Sequence, residues 1–346
     1  MTRRLATMLL AFTLALAAQA QKLEWDVDFN AVVNNREGGT NETPDQTFIF
    51  TRITPQVGVS VMDGAHRIMG GVTWYQPLNN ELSGFKVVPV AYYQYLSPNA
   101  STSVQVGLLP AIEGLPLYLR SDSISYVQPV VRGIRATYAG ERAGEVDAWL
   151  DWRQIRTAHK REAFEAGLHY RHALGKGVAA RAYVVYNHLA KSKVDNDDQG
   201  VNDHAIINPM LQWRNSHFDI SAGALLTLDR HRRLDFKWRF SAGFVAIATW
   251  QNKRFKVTQN LYAGKRQMPL YDYFGSLLYQ GDQYYHNPFY SRTDAAVKIF
   301  ENHFVNLTAQ LTFHATNRCT AFWQQVAVRF NIGSDRQRQQ VVKPLF

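Results

Sequence analysis

The 346-residue sequence contains one cysteine, Cys319. A single thiol cannot close an internal disulfide, which excludes the stapled scaffolds common among exported chains. Long apolar runs are equally scarce. Beyond the first twenty residues none approaches the roughly 20 apolar residues that a spanning helix needs. Charged residues make up only 19% of the chain and are scattered. The net charge of +10 therefore does not form the concentrated patch of a nucleic-acid binder, and no nucleic-acid partner is expected. Neither G-x-S-x-G nor H-E-x-x-H occurs, so no catalytic residue, metal or cofactor is indicated by motif. The acidic run "DNDDQG" lacks the ligand spacing and terminal Glu of an EF-hand loop and reads as a solvated loop.

What is present begins with an export signal. "MTRRLATMLLAFTLALAAQAQK" sets Arg3 and Arg4 before an apolar run from Met8 to Ala18 and an A-x-A site ending at Ala20. This predicts a signal peptide over residues 1–20, cleaved after Ala20. An exported chain with no helical anchor follows.

The segment "FKWRFSAGFVAIATW", Phe236 to Trp250, shows how that chain is organised. On a helix its aromatics and cations would share every face. On a strand they separate, because successive side chains point to opposite sides. Phe236, Trp238, Phe240, Phe244 and Trp250 then share an apolar face, with Lys237 and Arg239 on the other. The same period-2 pattern recurs in "KLEWDVDFNAVV", "GEVDAWLDWRQ", "HFVNLTAQLTFH" and "AFWQQVAVRFNI". About sixteen segments result, beginning near Leu23, Thr47, His66, Phe85, Thr102, Ser125, Glu145, Glu162, Val178, His204, Phe218, Asp235, Phe255, Arg292, His303 and Ala321. In "SYVQPVVRGIRATY" Arg132 and Arg135 fall on opposite faces, which predicts a bulge. Faces that are apolar and rich in aromatics on nearly every segment suit lipid. Only a closed sheet satisfies every backbone polar group there.

The connections alternate as well. Tight turns such as "MDGA", "SPNA", "LGKG" and "NSH" mark one rim, and longer loops such as "REGGTNETPDQ" and "PLYDYFGSLLYQGDQYYHNPFY" mark the other. With the terminal strand "QQVAVRFNI", these features resemble porin-like outer-membrane β-barrels of Gram-negative bacteria. The expected fold is an all-β transmembrane antiparallel barrel of about 16 strands, with 14 or 18 as alternatives. It would occupy residues 21–333 in the outer membrane, with a periplasmic tail over residues 334–346. The tail departs from the pattern of barrels that end on an aromatic. The resemblance implies outer-membrane lipid and lipopolysaccharide, the barrel assembly machinery and small hydrophilic solutes as partners, with a homotrimer as a possible assembly.

A barrel of this size admits an aqueous lumen, so passive diffusion with weak or no ion selectivity is the leading functional reading, and no enzymatic activity is expected. Pore-lining residues would be Arg52, Asp147, Asp151, Arg153, Arg181, Lys237, Arg239 and Arg329. Closure would bring Glu24 or Asp26 near Arg329. The third long loop, Ala111 to Ser123, either constricts the lumen with Glu113, Tyr118, Arg120 and Asp122 or packs on the rim. Tyr271, Tyr273, Tyr284, Tyr285 and Tyr290 in the seventh either stack on sugars or order the loop. Two other functions stay open. One is a non-conducting receptor, adhesin or secretion accessory acting through the long loops. The other is a hydrolase embedded in the barrel; His169 and His172 in "LHYRH" point to opposite faces and His188 and His204 flank a polar loop with Asp195, Asp197, Asp198 and Asp203, and none of them is assigned a catalytic role.

Overall fold

The computed structural model describes residues 21–38, 45–78, 84–140, 144–194, 200–234 and 236–334. The expected signal peptide and the C-terminal tail beyond Ser334 lie outside the described residues. So do Asp195, Asp197 and Asp198 of the acidic loop.

Sixteen antiparallel strands close into one barrel, each paired with its chain neighbours, and the first with the last. In chain order they are β1 Lys22–Glu37, β2 Gln46–Val61, β3 His66–Pro77, β4 Lys86–Leu96, β5 Thr102–Pro110, β6 Val130–Gly140, β7 Gly144–Gln154 and β8 Ala163–Gly175. There follow β9 Val178–Leu189, β10 Asn202–Arg214, β11 Phe218–His231, β12 Arg239–Gln251, β13 Phe255–Gly264, β14 Phe289–Glu301, β15 Val305–Thr316 and β16 Thr320–Gly333. Among the described residues no helix is long and apolar enough to cross a membrane. Backbone hydrogen bonds run around the whole wall, so no sheet edge meets hydrocarbon, where each unpaired group would cost several kcal/mol.

The outward face follows the alternation. Along β12, Phe240, Phe244 and Trp250 are exposed, whereas Val245 between them is fully buried. Short turns close one rim. At the β8–β9 turn Gly175, Lys176 and Gly177 all have positive φ, and a Cβ on Gly177 would lie 2.3 Å from the Arg214 carbonyl, so only glycine fits there. The long connections mark the outer rim.

Most strands begin within two residues of their expected starts, with three corrections. The first concerns Ser125, which belongs not to a strand but to a short helix, α1, Asp122–Val127. The Ser121 side chain accepts from the Ile124 amide as its N-cap, Asp122 sits in its first turn, and Pro129 follows. β6 then pairs with β5 in unbroken register, so the expected bulge is absent; Arg132 simply faces outward at the rim and Arg135 inward onto Asp147. Second, β12 starts at Arg239, where its pairing with β11 ends at Asp229, which leaves Lys237 outside the wall. Third, β14 starts three residues before Arg292, as Phe289 pairs with Ala263. At the closure Arg329 pairs not with Glu24 or Asp26 but with Asp28, at 2.9 Å, since the register sets Arg329 opposite Asn30. Asp26 takes Asn331 instead, and Glu24 accepts from Ser60 and Ser334.

The lumen is occupied. The third long loop (residues 111–129) and the seventh (residues 265–288) both fold inward and meet: the Ser121 amide bonds the Gln280 carbonyl and the Asp282 amide bonds the Leu117 carbonyl, each at 2.8 Å. The seventh loop carries a helix, α2, Tyr271–Leu278, kinked at Gly275, and a 3-10 turn, Gln283–His286. Tyr118 and Leu119 from one loop, and Met268, Leu278, Tyr279 and Tyr285 from the other, join Tyr183, Val185, Ile206, Met210, Leu225, Val245 and Tyr262 of the wall in one buried cluster. Each such side chain contributes about 1.5–3 kcal/mol by leaving water. The barrel interior at this level is a packed core.

Candidate active site

Among the histidines with charged or hydroxyl partners are three clusters, one on the outer side of the wall and two on the inner. On β9 the odd positions Tyr183, Val185, Asn187 and Leu189 are buried inward, which turns Tyr186 and His188 outward. On β10 Asn202, His204 and Ile206 point inward, and Asp203 outward. The register sets Asp203 directly opposite His188.

The outward cluster is built on Asp203. Its carboxylate meets His188 Nδ1 at 2.8 Å and accepts from Tyr186 Oη at 2.6 Å, Arg230 Nε at 2.9 Å and Arg232 Nε at 3.1 Å. The Asp203 side chain is wholly covered while that of His188 stays 17% exposed. With Nδ1–H donated to the carboxylate, Nε2 of His188 is left as a proton acceptor. The ring lies 5.0 Å from Phe164, which in turn packs on Trp152, and the Arg230 guanidinium lies 4.3 Å above Trp238. Trp152, Phe164, Tyr186 and Trp238 form part of an aromatic girdle at the outer rim, the level at which such rings sit in the membrane interface. His188 is embedded in that girdle.

The second cluster lies on the inner side. His204 Nδ1 meets Asp229 at 2.9 Å, and Tyr279 of the seventh loop donates to the same carboxylate oxygen at 2.8 Å. Both side chains are sealed, at 2% and 1% exposure.

In the third cluster His314 bonds Tyr290 and packs 4.0 Å from Trp323. Beside it Arg292 pairs with Asp122 and Asp294 and lies 3.8 Å from Asp282. These contacts join both inserted loops to the wall. Burial pushes the Asp282 carboxyl up to about 6 against the opposing pull of Arg292.

Among the pore-lining candidates, Arg52 reaches the Ser125 carbonyl of α1, Arg153 reaches Asn187 and the Ser276 carbonyl, and Arg181 bonds Tyr183 and Ser221. Asp147 holds Arg135, Asp151 accepts from the Arg132 amide, and Arg329 holds Asp28 and Glu113. Arg239 stands opposite Asp229 at the start of β12. Of the third-loop residues, Glu113 pairs with Arg329, Tyr118 donates to Asn208, Arg120 is buried, and Asp122 pairs with Arg292. Tyr284, Tyr285 and Tyr290 are buried, Tyr271 lies against Tyr279, and Tyr273 is 81% exposed. From the sequence alone His188 and Asp203 are named only as residues flanking one loop, and Arg230 and Arg232 are not named. The available signal was that three polar residues, His188, Asp203 and Arg230, take outward positions at the same end of adjacent strands. Among the described residues no group of three His, Cys, Asp or Glu side chains could hold a metal ion.

The fold resembles several solved outer-membrane barrels at low identity. An anion-selective porin from Comamonas acidovorans matches with TM-score 0.54 and 10% identity, covering 90% of this chain and 99% of that one. OpdK from Pseudomonas aeruginosa gives 0.52 and 9%, over 90% and 99%. A loop-deletion form of OmpT from Vibrio cholerae gives 0.53 and 8%, over 90% and 100%. These likenesses bear on the fold alone and agree with an outer-membrane location. No curated protein matches the chain. A family model described as "Lipid A 3'-O-deacylase-type" matches residues 15–334. That match overturns two expectations drawn from the sequence, a passive channel for small solutes and the absence of enzymatic activity. It favours the barrel hydrolase that had stood as an alternative. With a match that spans the whole barrel, the chain belongs to the lipid A 3'-O-deacylase-type family.

Proposed function

We propose that the protein hydrolyses an acyl ester of a lipid A-type glycolipid in the outer leaflet, using His188 as the base. The observation that carries this reading is the outward-facing His188–Asp203 pair, set in the aromatic girdle where the ester linkages of outer-leaflet lipids lie. An acyl chain can remain in the membrane beside the wall while its ester reaches the histidine. The family match supports the same chemistry.

The nucleophile is a water molecule. Among the described residues the only hydrogen bond of the His188 ring is to Asp203, so no protein hydroxyl or thiol is paired with Nε2. His188 Nε2 takes a proton from water as the oxygen attacks the ester carbonyl carbon. Asp203 stabilises the resulting imidazolium, and Arg230 and Arg232 supply a positive field for the oxyanion. Collapse breaks the bond from the acyl carbon to the sugar oxygen, which takes the proton from His188. A fatty acid and a free sugar hydroxyl leave.

The test is release of fatty acid from lipid A by folded protein in detergent, followed by mass spectrometry. Wild type should release it and His188→Ala should not. A correctly folded wild type that releases none would end this reading.

A further inference from the structure

Resting on the hydrolase reading, we infer that the outer rim beside His188 carries a phosphate-binding site centred on Arg232, so that the acylated sugar is held by its phosphate as well as by its chains. The first reason is charge. Arg230 and Arg232 converge on one carboxylate, that of Asp203, and no other acidic partner is paired with either among the described residues. Two guanidinium groups on one carboxylate leave a surplus positive charge in a partly desolvated place at the membrane surface. Among the described residues that surplus has no second carboxylate, and an anion arriving at the rim can share it.

The second reason is geometry. Arg230 is committed: its Nε and Nη2 both lie on Asp203, and its plane covers the Trp238 ring. Arg232 is not. Its Nε takes Asp203 at 3.1 Å and its Nη2 reaches the carboxylate only at 3.5 Å, which leaves three of five N–H donors for another group. Its side chain is 37% exposed while the Asp203 carboxylate is covered, so the guanidinium is accessible to a ligand. Its backbone amide is fixed to the Val201 carbonyl at 3.0 Å, which anchors the residue in the turn that ends β11.

The ligand chemistry is a phosphate group at the membrane surface, because a planar fork of donors suits its oxygens. Two sources supply it, the substrate's own sugar phosphate or the headgroup of a neighbouring anionic lipid. Binding of the His188→Ala variant to lipid A and to its dephosphorylated form, in neutral detergent micelles with and without phosphatidylglycerol, separates them without needing turnover. About tenfold tighter binding of the phosphorylated form in neutral micelles, lost in Arg232→Gln and partly kept in Arg232→Lys, assigns the phosphate to the substrate. A gain for both forms on adding phosphatidylglycerol, again lost in Arg232→Gln, assigns it to a neighbouring lipid. Equal affinity throughout, or an unchanged preference in Arg232→Gln, overturns the site. A wild type that releases no fatty acid ends the hydrolase reading and leaves the binding ratios to decide this one.

Discussion

Asp203 and His204 are consecutive in the chain, yet each completes a histidine–carboxylate pair on a different side of the barrel wall. The two pairs are nearly identical in geometry, at 2.8 and 2.9 Å through Nδ1. They differ in what covers them. The His188 side chain stays 17% exposed on the outer side of the wall, whereas His204 is enclosed beneath Tyr279 of the seventh loop. The chemistry of a pair is therefore not enough to make it a catalyst. A base needs a side open to its substrate; strand alternation sets the side of the wall on which each pair lies, and the seventh loop closes over the inner one.

The largest expected effect contrasts the two histidines directly. His188→Ala should lower deacylation by about 10²–10⁴-fold, the usual worth of a general base. His204→Ala should leave the rate per folded molecule within a few-fold. Equal losses would break the comparison, since the inner pair would then take part. Asp203→Asn should reduce kcat more than it changes KM, because it disturbs the ring's tautomer without removing the base.

The next effect concerns the wall between the pairs. Phe244 and Val245 are neighbours in the chain that face lipid and lumen respectively, one half exposed and the other fully buried. Phe244→Arg should cost about 2–4 kcal/mol near the midplane. In a water-filled channel Val245→Arg would be harmless. Here it should destabilise by a similar amount, because it forces an unpaired charge into the core formed with the inserted loops. Detergent unfolding of both variants tests this, and tolerance of Val245→Arg would contradict a packed interior.

Tyr279→Phe gives a smaller effect. It removes the hydroxyl that donates to Asp229 and should destabilise the seventh loop by about 1–3 kcal/mol without lowering the rate at His188. Protease sensitivity of that loop together with deacylation rate reads both.

Most of the wall was legible in the sequence because alternation is a local signal. Leu23, Thr102, Val178, Phe218 and Phe255 mark strand starts to within a residue. The helix at Asp122 was written in its Ser121 cap and in Pro129, but the β-prone Ser125-Tyr126-Val127 outweighed them. The function was harder to read for a physical reason. Alternation reports on which side of the wall a residue lies and says nothing of what fills that side. Arg52 and Arg153, expected to line a pore, meet the carbonyls of Ser125 and Ser276 in the inserted loops. The catalytic candidate was split in another way. His188 and Asp203 are fifteen residues apart and meet only through strand register, which no local spacing displays.

The smallest effect sharpens the inner half of the comparison. Asp282 joins the seventh loop to the wall beside Arg292, and burial raises its carboxyl from an ordinary 3.8 to about 6. Between those values the folded chain binds the proton more tightly than the unfolded chain does. Stability from this group is therefore greatest at low pH and falls as pH rises through about 6, the reverse of a carboxylate held by a dominant ion pair. Asp282→Asn keeps an acceptor for the Tyr284 amide and removes the titration. Unfolding in detergent between pH 4.5 and 7.5 should show wild type losing stability relative to the variant as pH increases. Parallel curves would mean that Arg292 fully compensates the buried charge, and that the inner wall tolerates ionised groups as readily as the rim does.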